Sequence, residues 1–293
     1  NADSLSSEGA PLLRSIPFVA APGNHDTEER DFDRYPDALA YFLLWSQPLN
    51  GPARKTGGPA FPSVRMGRET KKRFLSAAGK RFPSMANFSF DYGNAHWLIL
   101  DANNYVEWNV RSLRQWVEAD LLAAKDKRWK FVVFHQPGFS SSHDHFEQQQ
   151  MRLLAPAFEK GGADLVFMGH VHNYQRSFPI HFKPDGQGFQ LLGGREGLTP
   201  RGRRVDGRWT VDTVFNGKEK LQPNGVIYIV TGAGGQILYD IDQEKNPASW
   251  QTFTTKFISS QHSFTVVDVD GDSLELKQLS VDGAVLDSIR IHK

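Results

Sequence analysis

Residues 18–30 read FVAAPGNHDTEER. Four apolar residues, Phe18 to Ala21, run into Pro22-Gly23 and then into Asn24-His25-Asp26. The apolar run predicts a buried strand over 16–21, and the Pro-Gly pair predicts its abrupt end. Beyond that end stand three side chains able to hold a metal ion or move a proton. Two later stretches repeat the arrangement. Phe131 to Phe134 is followed by His135-Gln136-Pro137, and Leu165 to Met168 by Gly169-His170-Val171-His172. In α/β folds the loops at the carboxyl ends of strands converge on one crevice, so the three clusters are predicted to meet. A single histidine at a strand end is most often an ordinary hydrogen-bonded group, whereas three such clusters in one chain argue for a site. Nitrogen and oxygen donors without a thiolate suit zinc, iron or manganese. His170 and His172 lie two apart, so in a tight loop they can face neighbouring positions rather than one ion.

Composition bounds the reading. The chain has 293 residues, 39% of them hydrophobic, enough for a large core. A formal net charge of +1 gives no field that would steer it to nucleic acid or an acidic membrane. Cysteine is absent, which excludes a disulfide framework and thiolate metal sites and leaves the redox compartment open. No apolar run approaches the ~18 residues of a membrane span. The opening NADSLSSEGAPLLRSIP is polar and irregular, like the middle of a loop, and carries no signal-peptide pattern.

Further elements follow from periodicity. NFSFDYGNAHWLILDAN (87–103) predicts a hairpin turning at Gly93-Asn94. Leu113, Trp116, Val117, Leu121 and Ala124 recur three or four apart, one face of a helix. A second helix is predicted over 146–162, kinked at Pro156 and capped at Gly161. The order β-α-β-α-β argues for a sheet covered on both faces. GGREGLTPRGRRVDGR (193–208) reads as a basic surface loop. Strands alone are predicted after it, closing in a meander with turns at Asp270-Gly271 and Asp282-Gly283. The reading is one domain over 1–293, β-rich from about residue 205. DVDGDSLE lacks the spacing of a calcium loop, and TGAGG opens no helix, so it is no dinucleotide fingerprint. Asp101 is left between a turn-capping role and support of a site histidine, and Tyr105, Trp108 and Tyr174 are candidates for the mouth of the site.

GNHD (23–26), the histidine after FVVF and GHVH (169–172) resemble, in this order, the third, fourth and fifth signature blocks of the calcineurin-like metallophosphoesterases. HQPGFSSSHDH (135–145), YIVTGAGG (228–235) and the closing stretch 263–287 resemble the purple acid phosphatase branch. The resemblance implies a four-layer α-β-β-α sandwich, two mixed sheets flanked by helices. It implies two metal ions, iron with zinc, manganese or a second iron. Asn24, His135 and His170 would bind the second metal and His172 the first. His25 would bind phosphate and give a proton to the leaving group, with His143 and His145 touching the substrate and Asn24 beside them. The implied activity is hydrolysis of a small phosphate monoester by a secreted or periplasmic protein. A phosphodiesterase or nucleotide hydrolase on the same scaffold and a metal-poor binding protein are the alternatives. The family's first two blocks, Asp-x-His and Gly-Asp-x-x, are missing from the 22 residues before Gly23. An upstream segment of the same polypeptide is therefore expected to supply them, and without it the chain is expected to hold at most one metal, weakly.

Overall fold

In chain order the elements of the computed structural model are α1 (Asn24–Thr27), α2 (Tyr41–Leu44), α3 (Arg68–Ala78), β1 (Phe88–Tyr92), β2 (Ala95–Ile99), α4 (Arg111–Ala123), β3 (Trp129–Phe134), α5 (Ala155–Gly161), β4 (Leu165–Met168), β5 (Tyr174–Ser177), β6 (Ile180–Pro184), β7 (Gln190–Leu192), β8 (Gly202–Arg204), β9 (Gly207–Val211), β10 (Ile227–Thr231), α6 (Ile241–Glu244), β11 (Thr254–Ile258), β12 (Ser263–Asp270), β13 (Ser273–Ser280) and β14 (Val285–His292). The structure describes residues 14–53, 56–192 and 202–293.

The short apolar runs make a seven-stranded sheet in the order β1-β2-β3-β4-β10-β5-β11. Strands β2, β3, β4 and β10 are parallel and the outer pairings antiparallel. The parallel strands are apolar on both faces because both are covered. Val132, Phe134, Val166, Met168, Tyr228 and Val230 point to one core. Trp129, Phe131, Leu165, Phe167, Ile227 and Ile229 alternate to the other. The first core is closed by α4 and α5, with Leu113, Val117 and Leu121 of α4 turned inward as their spacing requires. The second is closed by the three-stranded meander β12-β13-β14, through Leu274, Leu276, Ile289 and Ile291. The expected mixed α/β fold is present, with helices against one face of the main sheet and a second sheet against the other.

Some local readings need correction. Residues 16–21 form no strand. The segment has no ladder partner among the described residues, and Ile16, Phe18 and Val19 are 52%, 44% and 44% exposed. An apolar run becomes a strand only where a neighbouring backbone takes its hydrogen bonds; here Pro17 and Val19 instead border an open groove with Phe90, Trp97, Val133, Phe167, Phe264 and Val267. The second helix is a 3₁₀ turn over Gln150–Leu154 followed by α5, with Pro156 in the first turn of α5 rather than at a kink, and the chain leaves it at Gly162 with φ 72°. The basic loop lies partly outside the described residues. Its described end is strand, and Arg203 is buried, donating to the carbonyls of Val106 and Asn104 and pairing with Glu107 at 3.2 Å. The C-terminal half also contains the one-turn helix α6. Within residues 32–86 the basic run RETKKR (68–73), expected as a solvated loop, instead opens α3, and a separate aromatic cluster forms in which Phe42, Phe61 and Phe74 meet Phe82 at 5.0–5.2 Å. Tyr41 of that cluster donates to the carbonyl of Ala20, tying down the approach to Asn24.

Candidate metal centre

His135 leaves the end of β3 and His170 follows the end of β4, one strand away. Asn24 arrives from the first position of α1, whose turn is fixed by Asp26: its carboxylate accepts from the Gly23 amide at 2.8 Å. His135 Nε2 and Asn24 Oδ1 are 2.9 Å apart, and His170 Nδ1 lies 3.2 Å from each of them. The ring of His135 is admitted by two glycines. A Cβ on Gly23 or on Gly169 would stand 3.3 Å from an imidazole atom, so each position has little room for a side chain. His170 and His145 both hold positive φ, 67° and 60°, a costly backbone for a residue with a Cβ.

Burial, reinforced by the neighbouring histidines, pulls His135 down to about 4 and His170 down to about 2. Neither has a carboxylate among the groups acting on it. Both rings are neutral near pH 7 and present lone pairs. Ligands at metal distances of about 2.0–2.1 Å stand roughly 2.9–3.4 Å from one another on a coordination shell, and the Asn24–His135–His170 triangle has those edges. The donor set therefore fits one zinc-, iron- or manganese-type ion. Among the described residues no three His, Cys, Asp or Glu side chains form a group that could hold a metal ion, so the triangle depends on its amide oxygen.

The other predicted residues surround the triangle at different depths. The ring of His145 is 4.0 Å from that of His170, the residue is exposed, and its Nδ1 accepts from Gln148 at 3.1 Å. His172 stands apart from the three. Its Nδ1–H donates to the Ile237 carbonyl at 2.8 Å and its ring stacks on Tyr239 at 4.1 Å. That bond fixes the tautomer with Nε2 as the lone-pair atom, the orientation of a metal ligand held from behind. His25 is 92% exposed, with Nδ1 3.7 Å from Glu28. His143 is also exposed, 4.0 Å from Asp240, and does not touch the triangle.

Asp101 supports no histidine. Its Oδ1 accepts from the backbone and side-chain amides of Asn103, at 2.9 and 2.8 Å, and its other oxygen from the Tyr105 hydroxyl. Burial pushes its carboxyl up to about 6 against these bonds. Trp108 and Tyr174 are core residues, and only Tyr105 of the proposed mouth residues borders the cleft beside the triangle. Tyr239, between His172 and His145, escaped sequence reading because a lone aromatic in a loop carries no periodic signal.

Comparison with known proteins shows the family. The model of the calcineurin-like phosphoesterase family matches residues 3–174, and that of the iron/zinc purple acid phosphatase-like C-terminal region matches residues 225–288. Purple acid phosphatase 18 of Arabidopsis thaliana is 30% identical over 140 residues, 42% of this chain and 30% of that protein. A probable inactive purple acid phosphatase of the same plant, number 27, is 25% identical over 189 residues, 61% of this chain and 27% of its own. The structure of a purple acid phosphatase from yellow lupin (Lupinus luteus) seeds aligns with TM-score 0.58 and 19% identity, covering 99% of this chain and 43% of the lupin chain, a likeness of fold. The chain thus spans about a third of the length of the two Arabidopsis relatives. No described helix is long and apolar enough to cross a membrane. With a family model matched over more than half its length, the chain belongs to the calcineurin-like phosphoesterases.

Proposed function

We propose that this site hydrolyses phosphate monoesters using two bound metal ions, iron with zinc, manganese or a second iron, one of them held by Asn24, His135 and His170. The observation that carries the reading is the triangle of neutral donors with edges of 2.9, 3.2 and 3.2 Å. A bound cation supplies Lewis acidity toward a phosphoryl oxygen and toward water. The chain's own residues do the rest. His135 and His170, neutral before any ion arrives, bind without first losing a proton. His25 sits one residue from the Asn24 ligand with its ring in solvent, so it can take a proton from water and hand it to the leaving alkoxide. His145, beside His170, touches the substrate from the opposite loop. His143 is a more distant contact for a larger leaving group.

The second ion would use Nε2 of His172 together with carboxylates from a segment upstream in the same polypeptide. The exposed apolar run Ile16–Val19 and the open groove it borders support a packing partner there. Export to the periplasm or the outside of the cell belongs to the same reading. A metal-poor binding protein is the second reading, favoured by the missing Asp-x-His and Gly-Asp-x-x blocks and by the fact that, among the described residues, no three His, Cys, Asp or Glu side chains form a group that could hold a metal ion.

The test is calorimetric titration with Zn²⁺ and Fe²⁺, followed by assays on 4-nitrophenyl phosphate and an alkyl phosphate. Metal uptake with hydrolysis supports the enzyme. His25→Ala is expected to slow the alkyl ester about 10²-fold or more and the nitrophenyl ester less, since nitrophenolate leaves without a proton. Weak metal uptake with no hydrolysis of any ester by the full-length polypeptide favours the metal-poor binding protein.

A further inference from the structure

Beside the triangle lies a cleft of about 330 Å³. Its wall carries the carboxamides of Asn103, Asn104, Gln136 and Gln148, with Arg30, Glu28 and Tyr105 among the other lining groups. Tyr105 offers little to an aromatic guest. The Arg30 guanidinium stands 5.4 Å over its ring, and its hydroxyl is committed to Asp101.

A relay of hydrogen bonds fixes which way one of these amides points. Asp101 Oδ1 can only accept, so the Asn103 side chain must donate to it with Nδ2, at 2.8 Å; the same nitrogen also donates to the Gly23 carbonyl at 3.2 Å. Asn103 Oδ1 is then an acceptor, and Gln136 must donate to it with Nε2, at 2.9 Å. That leaves Gln136 Oε1 as the remaining atom. Gln136 is 2% exposed, and Oε1 is buried without a partner. A buried carbonyl oxygen left unpaired is costly, and one whose flip is forbidden by its neighbours is a fixed acceptor.

We propose that this cleft receives the alcohol portion of the substrate and that Gln136 Oε1 accepts a hydrogen bond from one of its hydroxyl groups. The substrate class is then the phosphate ester of a hydroxylated aliphatic alcohol, as in a glycerol or sugar phosphate, rather than an aryl or plain alkyl phosphate. The inference rests on the phosphoester hydrolase reading and specifies its substrate. A site built to pair a hydroxyl discriminates against the analogue that lacks it, because the protein's polar group is then stranded.

The test uses two phosphonates that cannot be hydrolysed, 3,4-dihydroxybutylphosphonate and butylphosphonate, with inorganic phosphate as the reference, titrated into the Zn²⁺-loaded protein. The diol is expected to bind about tenfold tighter than the butyl compound. In Gln136→Met that preference disappears while the affinity for inorganic phosphate stays the same, a split that a merely structural role for Gln136 would not produce. Gln136→Asn keeps the amide and its folding but withdraws the oxygen, and is expected to lose most of the preference. Equal binding of the two phosphonates, with phosphate still bound, overturns the inference and leaves the hydrolase reading standing. A preference that survives in Gln136→Met overturns the assignment to Gln136. Failure of phosphate and both phosphonates to bind overturns the hydrolase reading and this inference with it.

Discussion

The two ends of the seven-stranded sheet treat their charges in opposite ways. Where the parallel strands begin, charged groups are matched. His96 on β2 is gripped between Asp91 at 2.8 Å and Asp120 at 2.9 Å, and Asp91 also meets Lys127 at 3.2 Å. Lys130, its neighbour on β3, donates to the last carbonyls of two helices, at Leu121 and Gly161, both 2.8 Å away. Lys293 closes on Asp164. Where the strands end, the partly buried His135, the buried His170 and the buried Asp101 have no ion-pair partner among the described residues, and Gln136 and His170 keep unpaired polar atoms. The first end is the finished one, its charges paired although the Tyr228 hydroxyl of β10 has no partner. The second, where neutral donors meet beside a cleft, is the working end.

The largest expected effect breaks the working end. His135→Ala removes one of three donors, and Zn²⁺ affinity measured by calorimetry should fall at least about 100-fold, since losing even a supporting partner of a ligand costs about 10–100-fold. Unchanged affinity would place the ion elsewhere.

Breaking the finished end comes next. His96→Ala leaves Asp120 and Asp91 facing each other without their shared cation. Asp91 is half-exposed, so the loss should be about 2 kcal/mol in urea unfolding, below the usual range for a fully buried pair. A loss under about 0.5 kcal/mol would make the clamp ornamental.

The same clamp sets a pH dependence. Burial lowers the affinity of His96 for its proton, but Asp120 and Asp91 together outweigh it and the folded value is raised. A raised value gives stability that is fully present below the unfolded pKa of about 6.5 and is lost as pH rises through the higher folded value. The melting temperature should therefore drop across the alkaline side of pH 6.5, and His96→Gln should flatten that limb. An equally steep fall in the variant would assign it to other groups.

The smallest effect sharpens the contrast between the carboxylates. Asp91, paired, is held below its ordinary value; Asp101, buried, is pushed up to about 6. Asp101 therefore loses stability as pH rises from about 4 through 6, the opposite sense to a paired acid. Asp101→Asn should remove that slope and change stability at pH 5 by less than about 1 kcal/mol. A steepened slope would mean that the carboxylate is matched after all.

Much of this was legible beforehand because it rests on period and punctuation. The hairpin at Gly93-Asn94, the inward face of α4 and the meander turns at Gly271 and Gly283 are local patterns that hold in any packing. The segment 16–21 has the same apolar texture as β3 and β4, yet strand formation needs a partner backbone that texture cannot announce. The aromatic cluster of residues 32–86 has no repeat to read, because its rings meet across irregular loops.

By itself the sequence determined that His135 and His170 stand at the ends of two neighbouring apolar strands, because chain order and side-chain period are local properties; Asn24, expected at a strand end as well, arrives instead from α1. The tertiary structure alone decided how close they come, that His145 joins them while His143 does not, that His172 is held from behind by Ile237 and Tyr239, and that Gln136 lines the cleft with its amide orientation fixed by Asn103. Those outcomes depend on burial and on hydrogen bonds between residues up to 146 positions apart, where the environment, not the residue type, sets charge and direction.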